Sequence, residues 1–422
     1  MKVIVVGAGI GGLSAAIALN RAGHDVEVYE SSSFLNEVGA AIHLAPNATR
    51  VLKTWDCDLE TMHPSECTAV KVYTPDLKII PIGMNREENQ KEMGVDDPWL
   101  MVHRVDLHNG LRLLAEKGFQ GRSVAIHLNS KVESVDAETG HVHFQDGRTV
   151  QGDLVIGADG LHSRTVQAII SNGRDKISTG QNIFRFLVPT EKAMGNPVVK
   201  KFIEKLGLNR MTVISSKHDR MIIYPCRSGA LLNCGFLFAS TEADDKAARE
   251  TSWLNAGSVD DLLRCVDGFD EGARELCKMA EDLKLWSLMT RDPPPTYIKG
   301  KLALMGDAAH PMLPHQGQGG AQAIEDAAAL GALFTGDPAP EEVSDLLHIY
   351  NQVRYDHTVI VCITSRTSYD RREEKLEELR RFVPNASLEG TDSPATLTWH
   401  SYPARDVERL LALRRNSQVK VA

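Results

Sequence analysis

The sequence predicts a mixed α/β (α+β) protein with a Rossmann-like dinucleotide-binding domain, an inserted and mostly antiparallel β-sheet domain, and C-terminal helices. Three observations predict this class. A β-branched run, Lys2 to Val6, precedes a glycine-rich turn and a helix pattern. Strand-like pieces between turn residues follow after about residue 175. A second buried strand with a glycine-rich turn then occurs at Lys301 to Met305.

The first domain begins with a βαβ unit. The continuous β-branched run Lys2 to Val6 suits a strand buried on both faces of a parallel sheet. Leu13 to Ala22 is typical of a helix, and Asp25 to Tyr29 is typical of a second strand. This order predicts the start of a parallel, dinucleotide-binding sheet.

The middle of the chain has a different pattern, which indicates an antiparallel sheet. The predicted strands there are Met211 to Ser215, Met221 to Tyr224 and Ala230 to Phe236. Parallel character returns at Lys301 to Met305, followed by a helix-compatible stretch, Ala321 to Leu333. The first domain is therefore expected to be discontinuous.

The expected domains divide the 422 residues into three parts, since the chain is too long for one ordinary core. The cofactor domain comprises 1–75, 100–178 and 285–360, the substrate domain comprises 76–99 and 179–284, and a C-terminal helical segment and tail comprises 361–422. Within the last part, 370–381 is interpreted as a solvated surface helix because opposite charges recur at helical spacing. Residues 385–398 are interpreted as a loop.

Composition argues against several functions. The net charge of −9 and pI near 5.9 disfavour a nucleic-acid surface, which needs clustered cations. Seven cysteines without a C-x-x-C pair indicate neither a zinc site nor a complete disulfide framework, and no metal site is expected. Reduced thiols favour a cytoplasmic location. No run approaches the roughly 20 apolar residues of a membrane span, so we expect no transmembrane segment.

The amino-terminal stretch admits two interpretations. Lys2 before an apolar run, with Ala16 to Ala18 as a cleavable site, would suit a secretion signal. The glycines Gly7, Gly9 and Gly12 favour the other interpretation, because they form G-x-G-x-x-G between a strand and a helix.

These glycines predict a dinucleotide site. Gly7 allows the tight turn, Gly9 lets the backbone approach a pyrophosphate, and Gly12 lets helix and strand pack closely. The helix N-terminus adds unpaired N–H groups and a positive dipole end. Glu30, at the end of the second strand, is the expected acceptor for ribose hydroxyls. This unit alone does not distinguish FAD from NAD.

Two later motifs distinguish FAD from NAD. Residues 153–163 read D-L-V-I-G-A-D-G-L-H-S, an apolar strand that ends in a small-residue turn carrying Asp159 and Ser163. Residues 306–311 read G-D-A-A-H-P, and the motif continues to the glycines at 317, 319 and 320 and to Glu325 and Asp326. With the G-x-G-x-x-G unit, these segments make the chain resemble the FAD-dependent aromatic-ring monooxygenases of the salicylate-hydroxylase and para-hydroxybenzoate-hydroxylase type, from Lys2 to about Asp356.

The resemblance implies a tightly held FAD. It implies that the segment with Asp159 contacts the pyrophosphate region, that Asp307 holds the ribityl chain and that Arg104 reaches the FAD. It also implies that Trp286, Arg291 and Pro293 belong to the scaffold. The glycines at Gly317, Gly319 and Gly320 permit positive φ and close approach of the flat flavin ring, with a helix N-terminus pointing at it.

The resemblance also implies the chemistry. Because the chain has a single G-x-G-x-x-G unit, NADH or NADPH is expected to dock transiently and reduce the flavin. Val166 stands where the family commonly has arginine, which weakens the expectation of docking at that segment. A flavin hydroperoxide would then transfer one oxygen atom of O2 to a small aromatic substrate, and the pocket must exclude water.

Candidate substrate residues lie in the middle sheet. Arg185 and Tyr224 are expected to orient and activate the substrate, and Pro311 fixes the turn near the flavin. Further candidates for pocket contact are Phe184, Phe186, Phe236, His43 and His315. An arginine between two phenylalanines in a strand points to the opposite face from both of them, so solvent remains an alternative for Arg185.

Other functions remain as alternatives. A flavin oxidase or dehydrogenase on the same fold would oxidise its substrate without oxygen insertion. A nonenzymatic binding protein could retain the fold without redox work. Phenolic, indolic and polyketide-like substrates all stay open, as do a monomer and a homodimer.

Overall fold

The computed structural model of the chain describes residues 1–33, 40–170, 176–240, 255–391 and 394–419. Its strands, in chain order, are β1 (Lys2–Val6), β2 (Asp25–Tyr29), β3 (Ala41–Leu44), β4 (Ser65–Glu66), β5 (Ala69–Tyr73), β6 (Ile79–Asn85), β7 (Leu100–His103), β8 (Ala125–His127), β9 (Val132–Asp136), β10 (His141–Phe144), β11 (Thr149–Gln151), β12 (Leu154–Gly157), β13 (Ile177–Pro189), β14 (Met211–Ser215), β15 (Arg220–Cys226), β16 (Leu231–Ala239), β17 (Asn255–Ala256), β18 (Glu281–Thr290), β19 (Ile298–Lys299) and β20 (Leu302–Leu304).

The helices of the same residues alternate with these strands. They are α1 (Ile10–Arg21), α2 (Pro46–Thr54), α3 (Arg86–Met93), α4 (Arg104–Lys117), α5 (Thr190–Gly195), α6 (Pro197–Leu206), α7 (Val259–Cys265), α8 (Glu271–Cys277), α9 (Gly319–Leu333), α10 (Val343–Thr364), α11 (Leu376–Arg380), α12 (Pro394–Thr398) and α13 (Pro403–Val419). Short 3-10 helices lie at Leu59–Met62, Thr165–Ala168, Gly306–Ala308, Pro314–Gln316, Pro340–Glu342 and Tyr369–Lys375.

A six-stranded sheet in the described residues forms the core of the first domain. Its order is β19-β20-β12-β1-β2-β8, and every pair is parallel except β19 with β20. The residues of β1 after Lys2 are buried, as the continuous apolar run predicts. Because β12 lies between β1 and β20, residues far apart in sequence share one sheet.

Helices α1 and α9 pack closely against each other beside this sheet. A side chain at Gly331 would place its Cβ 2.9 Å from the Cβ of Ala18, so this helix contact depends on small residues. Both helices begin at the carboxyl ends of the parallel strands, where ligands bind in open α/β sheets. Two small antiparallel sheets, β11-β10-β9 and β3-β7-β4, flank this domain in the described chain.

The second large sheet of the described residues has eight strands in the order β17-β18-β13-β16-β15-β14-β5-β6. All its pairs are antiparallel except β14 with β5, which confirms a mostly antiparallel inserted domain. The sheet includes β5, residues that the sequence analysis assigned to the first domain. One face of this sheet packs on helices α6 to α8 through an apolar core. The other face is turned toward the first domain.

The C-terminal part follows helix α10. The segment 370–381, interpreted as one surface helix, contains a 3-10 stretch and the short helix α11. The segment 385–398, interpreted as a loop, ends in helix α12. Within the described ranges, the model contains no helix that is both long and apolar enough to cross a bilayer.

Candidate active site

The turn between β1 and α1 is built so that no side chain can occupy it. Gly7 has φ +99°, and a Cβ there would lie 2.5 Å from the carbonyl oxygen of Ala158. A Cβ at Gly12 would lie 1.9 Å from the carbonyl oxygen of Gly7. These two approaches explain the glycines, because any larger residue would push the helix away from the strand.

The N-terminus of α1 opens into a cavity. Gly9 is its N-cap and supplies no side-chain hydrogen bond, and a Cβ built at Gly9 meets no atom of the described chain within 4 Å. The first-turn N–H groups and the positive dipole end are thus available to an anion. Glu30 lies at the same place, where its carboxylate accepts hydrogen bonds of 2.8 Å from the backbone N–H groups of Ala8 and Ser32.

This first cavity has a volume of about 600 Å³ and follows the carboxyl ends of the parallel strands. Asp159 is one of its lining residues, but its carboxylate is directed into its own turn. It accepts hydrogen bonds from the Ser163 hydroxyl (2.8 Å), from the Arg164 backbone (2.6 Å) and from the Thr165 backbone and hydroxyl (3.0 and 2.6 Å). Asp159 therefore fixes the turn that presents residues 158–161 to the cavity.

A second cavity, about 920 Å³, continues from the first. Gly9, Ala158, Gly160 and Leu161 line both cavities. The two therefore form one elongated site that bends at the N-terminus of α1. Its far part lies between the first domain and the free face of the eight-stranded sheet.

The glycine-rich loop before α9 lies in the wall of the second cavity. Gly317 has φ +60°, and a Cβ there would lie 1.7 Å from Nε2 of His43. A Cβ at Gly320 would lie 2.7 Å from Cδ1 of Ile42. Helix α9 begins at Gly319 without a side-chain cap or an acidic residue in its first turn, so its positive end faces the cavity unopposed.

Asp307 lies in the same wall, in the 3-10 turn Gly306–Ala308. Its side chain is exposed to this cavity. Burial raises the pKa of the Asp307 carboxyl, and the nearby His310, Arg104 and Arg291 oppose this rise. Arg104, the first residue of α4, also lines the second cavity. Arg291 donates to the backbone carbonyl of Asp307 (3.3 Å) and thereby supports the turn.

A buried ionic network supports this turn from behind. One carboxylate oxygen of Asp326 accepts from the Gly306 backbone (2.9 Å) and lies 2.7 Å from Nε2 of His310. The other accepts from Nε of Arg354 (2.7 Å). Interactions with His310, Arg354 and Gly306 lower the pKa of Asp326 against the effect of burial. The Asp326 carboxylate thus links α9, α10 and the turn that carries Asp307.

Successive side chains along each strand of the eight-stranded sheet point to opposite faces of the sheet. Arg185 on β13 and Tyr224 on β15 line the second cavity. Phe184, Phe186 and Phe236 are instead buried in the core between the sheet and helices α6 to α8. The expectation that these phenylalanines line the pocket is therefore wrong, since they lie on the opposite face from Arg185.

Arg185 carries a positive charge into the cavity. Burial and the neighbouring Arg104 lower the pKa of its guanidinium, although an arginine remains protonated in proteins. Among the titratable groups of the described chain, Tyr224 and Arg104 act on the Arg185 guanidinium, and Arg104 is a second cation. This cavity face consequently favours an anionic ligand.

Tyr224 and Asn233 hold strand β3 against the sheet. The Tyr224 hydroxyl donates to the carbonyl oxygen of Ala41 (2.8 Å), and the Asn233 side-chain oxygen accepts from the Ala41 backbone N–H (2.9 Å). The two residues are register partners on β15 and β16. Burial raises the pKa of Tyr224 well above its usual value, so its hydroxyl keeps its proton near neutral pH. Asn233 was not among the predicted site residues.

Pro311 also lines the second cavity. Its carbonyl oxygen points into the protein, where it accepts from the Thr290 hydroxyl (3.1 Å) and the Cys362 thiol (3.3 Å). These two hydrogen bonds fix the backbone of Pro311 on the side away from the cavity.

Two histidines line the second cavity, and burial lowers the pKa of each to about 4. Both are neutral at physiological pH. Nδ1 of His43 accepts from the Trp99 indole (3.1 Å), while Nε2 of His315 lies 2.9 Å from the side-chain oxygen of Gln181. His43 therefore supports the loop at Gly317 with its ring already held by a partner.

The C-terminal part supplies wall residues that the sequence analysis did not predict. Trp399 packs edge-to-face on Trp99, with ring centroids 5.1 Å apart, and both line the second cavity. Asp370 and Arg372 line it as well, so the interpretation of 370–381 as a purely solvated face is wrong for these residues. The charge pattern of this segment does not reveal which of its residues face the cavity.

Comparison with known proteins agrees with this geometry. Residues 1–361 match the family model described as FAD binding domain. The chain belongs to this family. In this FAD-binding family, the FAD-dependent monooxygenase cfoG of Aspergillus candidus is 34% identical over 391 residues, which cover 91% of this chain and 88% of that protein. Hispidin-3-hydroxylase of Neonothopanus nambi is 32% identical over 378 residues, 86% of this chain and 87% of that protein.

The fold of the chain is also that of solved family members. The structure of a salicylate hydroxylase in complex with substrate superposes with a TM-score of 0.68, covering 96% of this chain and 98% of that chain at 21% sequence identity. The predicted resemblance to the aromatic hydroxylase flavoproteins is thus confirmed. The protein is an FAD-dependent monooxygenase.

The residues present fit FAD. The open space beside Gly9, the uncapped N-terminus of α1 and Glu30 could hold the diphosphate and the adenosine ribose. Asp307 and the loop at Gly317 could hold the other half in the second cavity. Within the described ranges, no cluster of three or more His, Cys, Asp or Glu side chains could hold a metal ion.

Proposed function

We propose that the enzyme consumes NADH or NADPH and inserts one oxygen atom of O2 into a small aromatic molecule with an ionisable hydroxyl group, phenolic, indolic or polyketide-like. The observation that carries this proposal is the position of Arg185, which lines the second cavity and interacts with a second cation there, Arg104. A partly buried guanidinium next to a second cation favours a ligand that carries negative charge. The name of the relative hispidin-3-hydroxylase, a hydroxylase, supports the same reaction type.

We assign the cofactor contacts by their places in the two cavities. The proposed FAD-binding residues are Gly7, Gly9, Gly12, Glu30, Arg104, Asp159, Asp307, Gly317, Gly319 and Gly320. Asp159 acts through the turn that it stabilises, whereas Asp307 would hold the ribityl chain. When bound, FAD would supply the reduction and oxygen-transfer chemistry, and the uncapped end of α9 would favour negative charge beside it.

The protein contributes orientation and charge. Arg185 stabilises the phenolate form of the substrate, which enriches the ring in electrons and favours attack by an electrophilic oxygen. Tyr224 keeps its proton and positions both strand β3 and the substrate. Pro311 holds the turn next to the flavin. The apolar lining excludes water from the reacting atoms.

The nicotinamide cofactor docks only transiently in this proposal. The chain has a single G-x-G-x-x-G unit, and we assign it to FAD. Val166, where the family commonly has arginine, is buried. It therefore offers no charge to a nicotinamide cofactor, and we propose that the cofactor docks elsewhere near the flavin.

We further propose the division into a cofactor domain (1–75, 100–178 and 285–360), a substrate domain (76–99 and 179–284) and a C-terminal part (361–422). The six-stranded sheet supports the first unit and the eight-stranded sheet supports the second, although β5 and the end of β18 belong to the eight-stranded sheet. We propose a cytoplasmic monomer or homodimer, which all seven cysteines as free thiols support.

The proposal is tested by purifying the holoenzyme and following NADH and NADPH oxidation with a panel of phenols and indoles. Nicotinamide oxidation that is stimulated by a panel member and yields a product with one added oxygen atom is expected. Substrate oxidation without added oxygen would instead identify a flavin oxidase or dehydrogenase on this fold.

A further inference from the structure

The free face of the eight-stranded sheet carries an uninterrupted row of residues that begins at Arg185. Register pairing joins Arg185 to Gly235, Gly235 to Ile222, Ile222 to Val213, Val213 to Val72 and Val72 to Ile80. All six line the second cavity. The row therefore contains one cation, one glycine and four aliphatic side chains in succession.

Gly235 narrows the row at its head to the backbone. The residue next to Arg185 has no side chain, and the surface there is completed by Ile183, whose Cδ1 would lie 3.4 Å from a Cβ at Gly235. Beyond it, the four aliphatic residues cross from β15 to the edge strand β6. Since neighbouring strands lie about 4.8 Å apart, the distance from β16 to β6 is roughly 19 Å.

The flank of this row is apolar as well. Met211, Val70 and Met84 line the cavity in the next row, where Met211 pairs with Val70 and Val70 with Met84. On the other flank the lining becomes polar, with Ser215 opposite Arg220. The aliphatic part is thus a track bounded by polar groups on one side.

The track ends at the protein surface. Ile82, which lines the cavity on the edge strand, is 47% exposed. Shielding the reacting atoms from water needs apolar residues only near Arg185 and the flavin. It does not explain an apolar wall that continues to an open edge five strands away from Arg185.

We propose that the substrate carries an extended apolar arm in addition to its reacting ring, and that this arm lies along Ile222, Val213, Val72 and Ile80 toward the edge strand. The inference rests on the proposed function, because the ring is taken to lie beside Arg185. Each methylene group that is fully buried strengthens binding by up to about fourfold. The arm therefore determines which ring-bearing molecules the enzyme selects.

The test uses the FAD-loaded enzyme and the 5-methyl, 5-pentyl and 5-nonyl resorcinols, together with butanoate, octanoate and dodecanoate as anions without a ring. Dissociation constants are measured from the perturbation of flavin absorbance, and turnover is measured separately. We expect binding to strengthen by more than about tenfold from the shortest to the longest member of at least one series. A change of less than about twofold in both series, or no perturbation by any member up to its solubility, overturns the proposal.

Variants locate the arm. Val72→Trp fills the track and is expected to weaken binding of the longest member by about tenfold while leaving the shortest within about twofold. Val72→Thr keeps the shape of the side chain and adds a hydroxyl group, and it replaces Val72→Trp if the tryptophan variant does not fold. It is expected to reduce the dependence of binding on chain length. Ile79→Trp on the neighbouring edge strand β6, at a 67% exposed residue outside the cavity lining, is the control and should bind like the wild type. The proposed track would be contradicted if Ile79→Trp weakened binding of the longest member as much as Val72→Trp does. It would also be contradicted if neither Val72 variant weakened that binding.

Turnover separates this inference from the proposed function. Chain-length-dependent binding without oxygenated product would leave the track in place and count against the proposed reaction. Oxygenation of the methyl compound without any gain from a longer chain would support the reaction and count against the track.

Discussion

The hydroxyl of Tyr224 donates a 2.8 Å hydrogen bond to the carbonyl oxygen of Ala41, while Asn233 on the neighbouring strand accepts from the N–H of the same residue. The backbone N–H and C=O groups of Ala41 are thus both hydrogen-bonded to the eight-stranded sheet. Strand β3 continues from Ala41 to Ile42 and His43, which abut the glycine-rich loop before α9. The contact couples the proposed substrate wall to the proposed flavin wall.

Tyr224→Phe tests this coupling. The substitution removes one buried neutral hydrogen bond, which costs about 1 kcal/mol of stability. We expect FAD to be retained and kcat/KM to fall by about tenfold, because a shift of β3 misplaces the flavin loop relative to the substrate. Steady-state kinetics with the best panel substrate measure the change. Tyr402→Phe, outside the cavity lining, should leave kcat/KM unchanged, and an unchanged value in Tyr224→Phe would show that the hydroxyl has no role in turnover.

Arg185→Gln should impair substrate binding and leave the flavin in place. Charged hydrogen bonds contribute about 1.5–3 kcal/mol, so an anionic substrate should bind roughly 10- to 100-fold more weakly. Arg185→Lys keeps the charge but loses the planar fork, and an intermediate affinity is expected. Flavin-perturbation titrations of both variants give the dissociation constants. Wild-type affinity in Arg185→Gln would remove this residue from the substrate site.

Asp307→Ala should lose FAD during purification. The carboxylate faces the second cavity and is the proposed acceptor for the ribityl chain. We expect the ratio of flavin to protein after gel filtration to fall clearly below that of the wild type, with the dissociation constant for FAD raised by at least about tenfold. Asp146→Ala, an exposed aspartate paired with Arg148, is the matched control. A full flavin content in Asp307→Ala would contradict the assignment.

Glu325 should make stability depend on pH. Burial raises the pKa of this carboxyl to about 7, and Asp326 adds to the rise, while Arg354 opposes it. The folded protein therefore holds a proton that the unfolded chain releases near pH 4.5. The stabilisation that this bound proton provides is fully present below pH 4.5, the pKa in the unfolded chain. It is lost as the pH rises through about 7, the pKa in the folded protein.

Glu325→Gln, a neutral side chain of the same shape, should flatten that dependence. Relative to the wild type, we expect little change near pH 4.5 and a gain of up to about 3 kcal/mol above the folded pKa. Chemical denaturation at several pH values measures it. Glu133→Gln, on an exposed strand position, is the control. Parallel pH profiles for wild type and Glu325→Gln would show that Glu325 does not hold the proton.

The features predicted from sequence are those with local causes. The strand, glycine turn and helix at Gly7 to Gly12 follow from neighbouring residues, because backbone approach and φ exclude a side chain at Gly7 and Gly12. The return of a parallel strand near residue 301 follows from its apolar run. The glycines at 317 and 320 were singled out by their pattern, and each abuts a side chain of β3.

The features that were missed depend on packing between distant segments. Alternation predicts that Arg185 and Phe184 lie on opposite faces, but it does not tell which face meets the first domain, since both faces of this sheet are covered. The Ala41 contact of Asn233 joins residues 192 positions apart. Trp99 and Trp399 meet through the C-terminal segment, whose loop-like composition gives no sign of a cavity wall.

Oxygen insertion is tested most directly by mass spectrometry of the product formed under isotopically labelled O2 by the FAD-loaded enzyme with NADPH or NADH. A phenolic or related aromatic substrate is expected to gain a single labelled oxygen atom, with none entering from labelled water. An oxidised product without labelled oxygen, formed while labelled hydrogen peroxide accumulates, would contradict oxygen insertion.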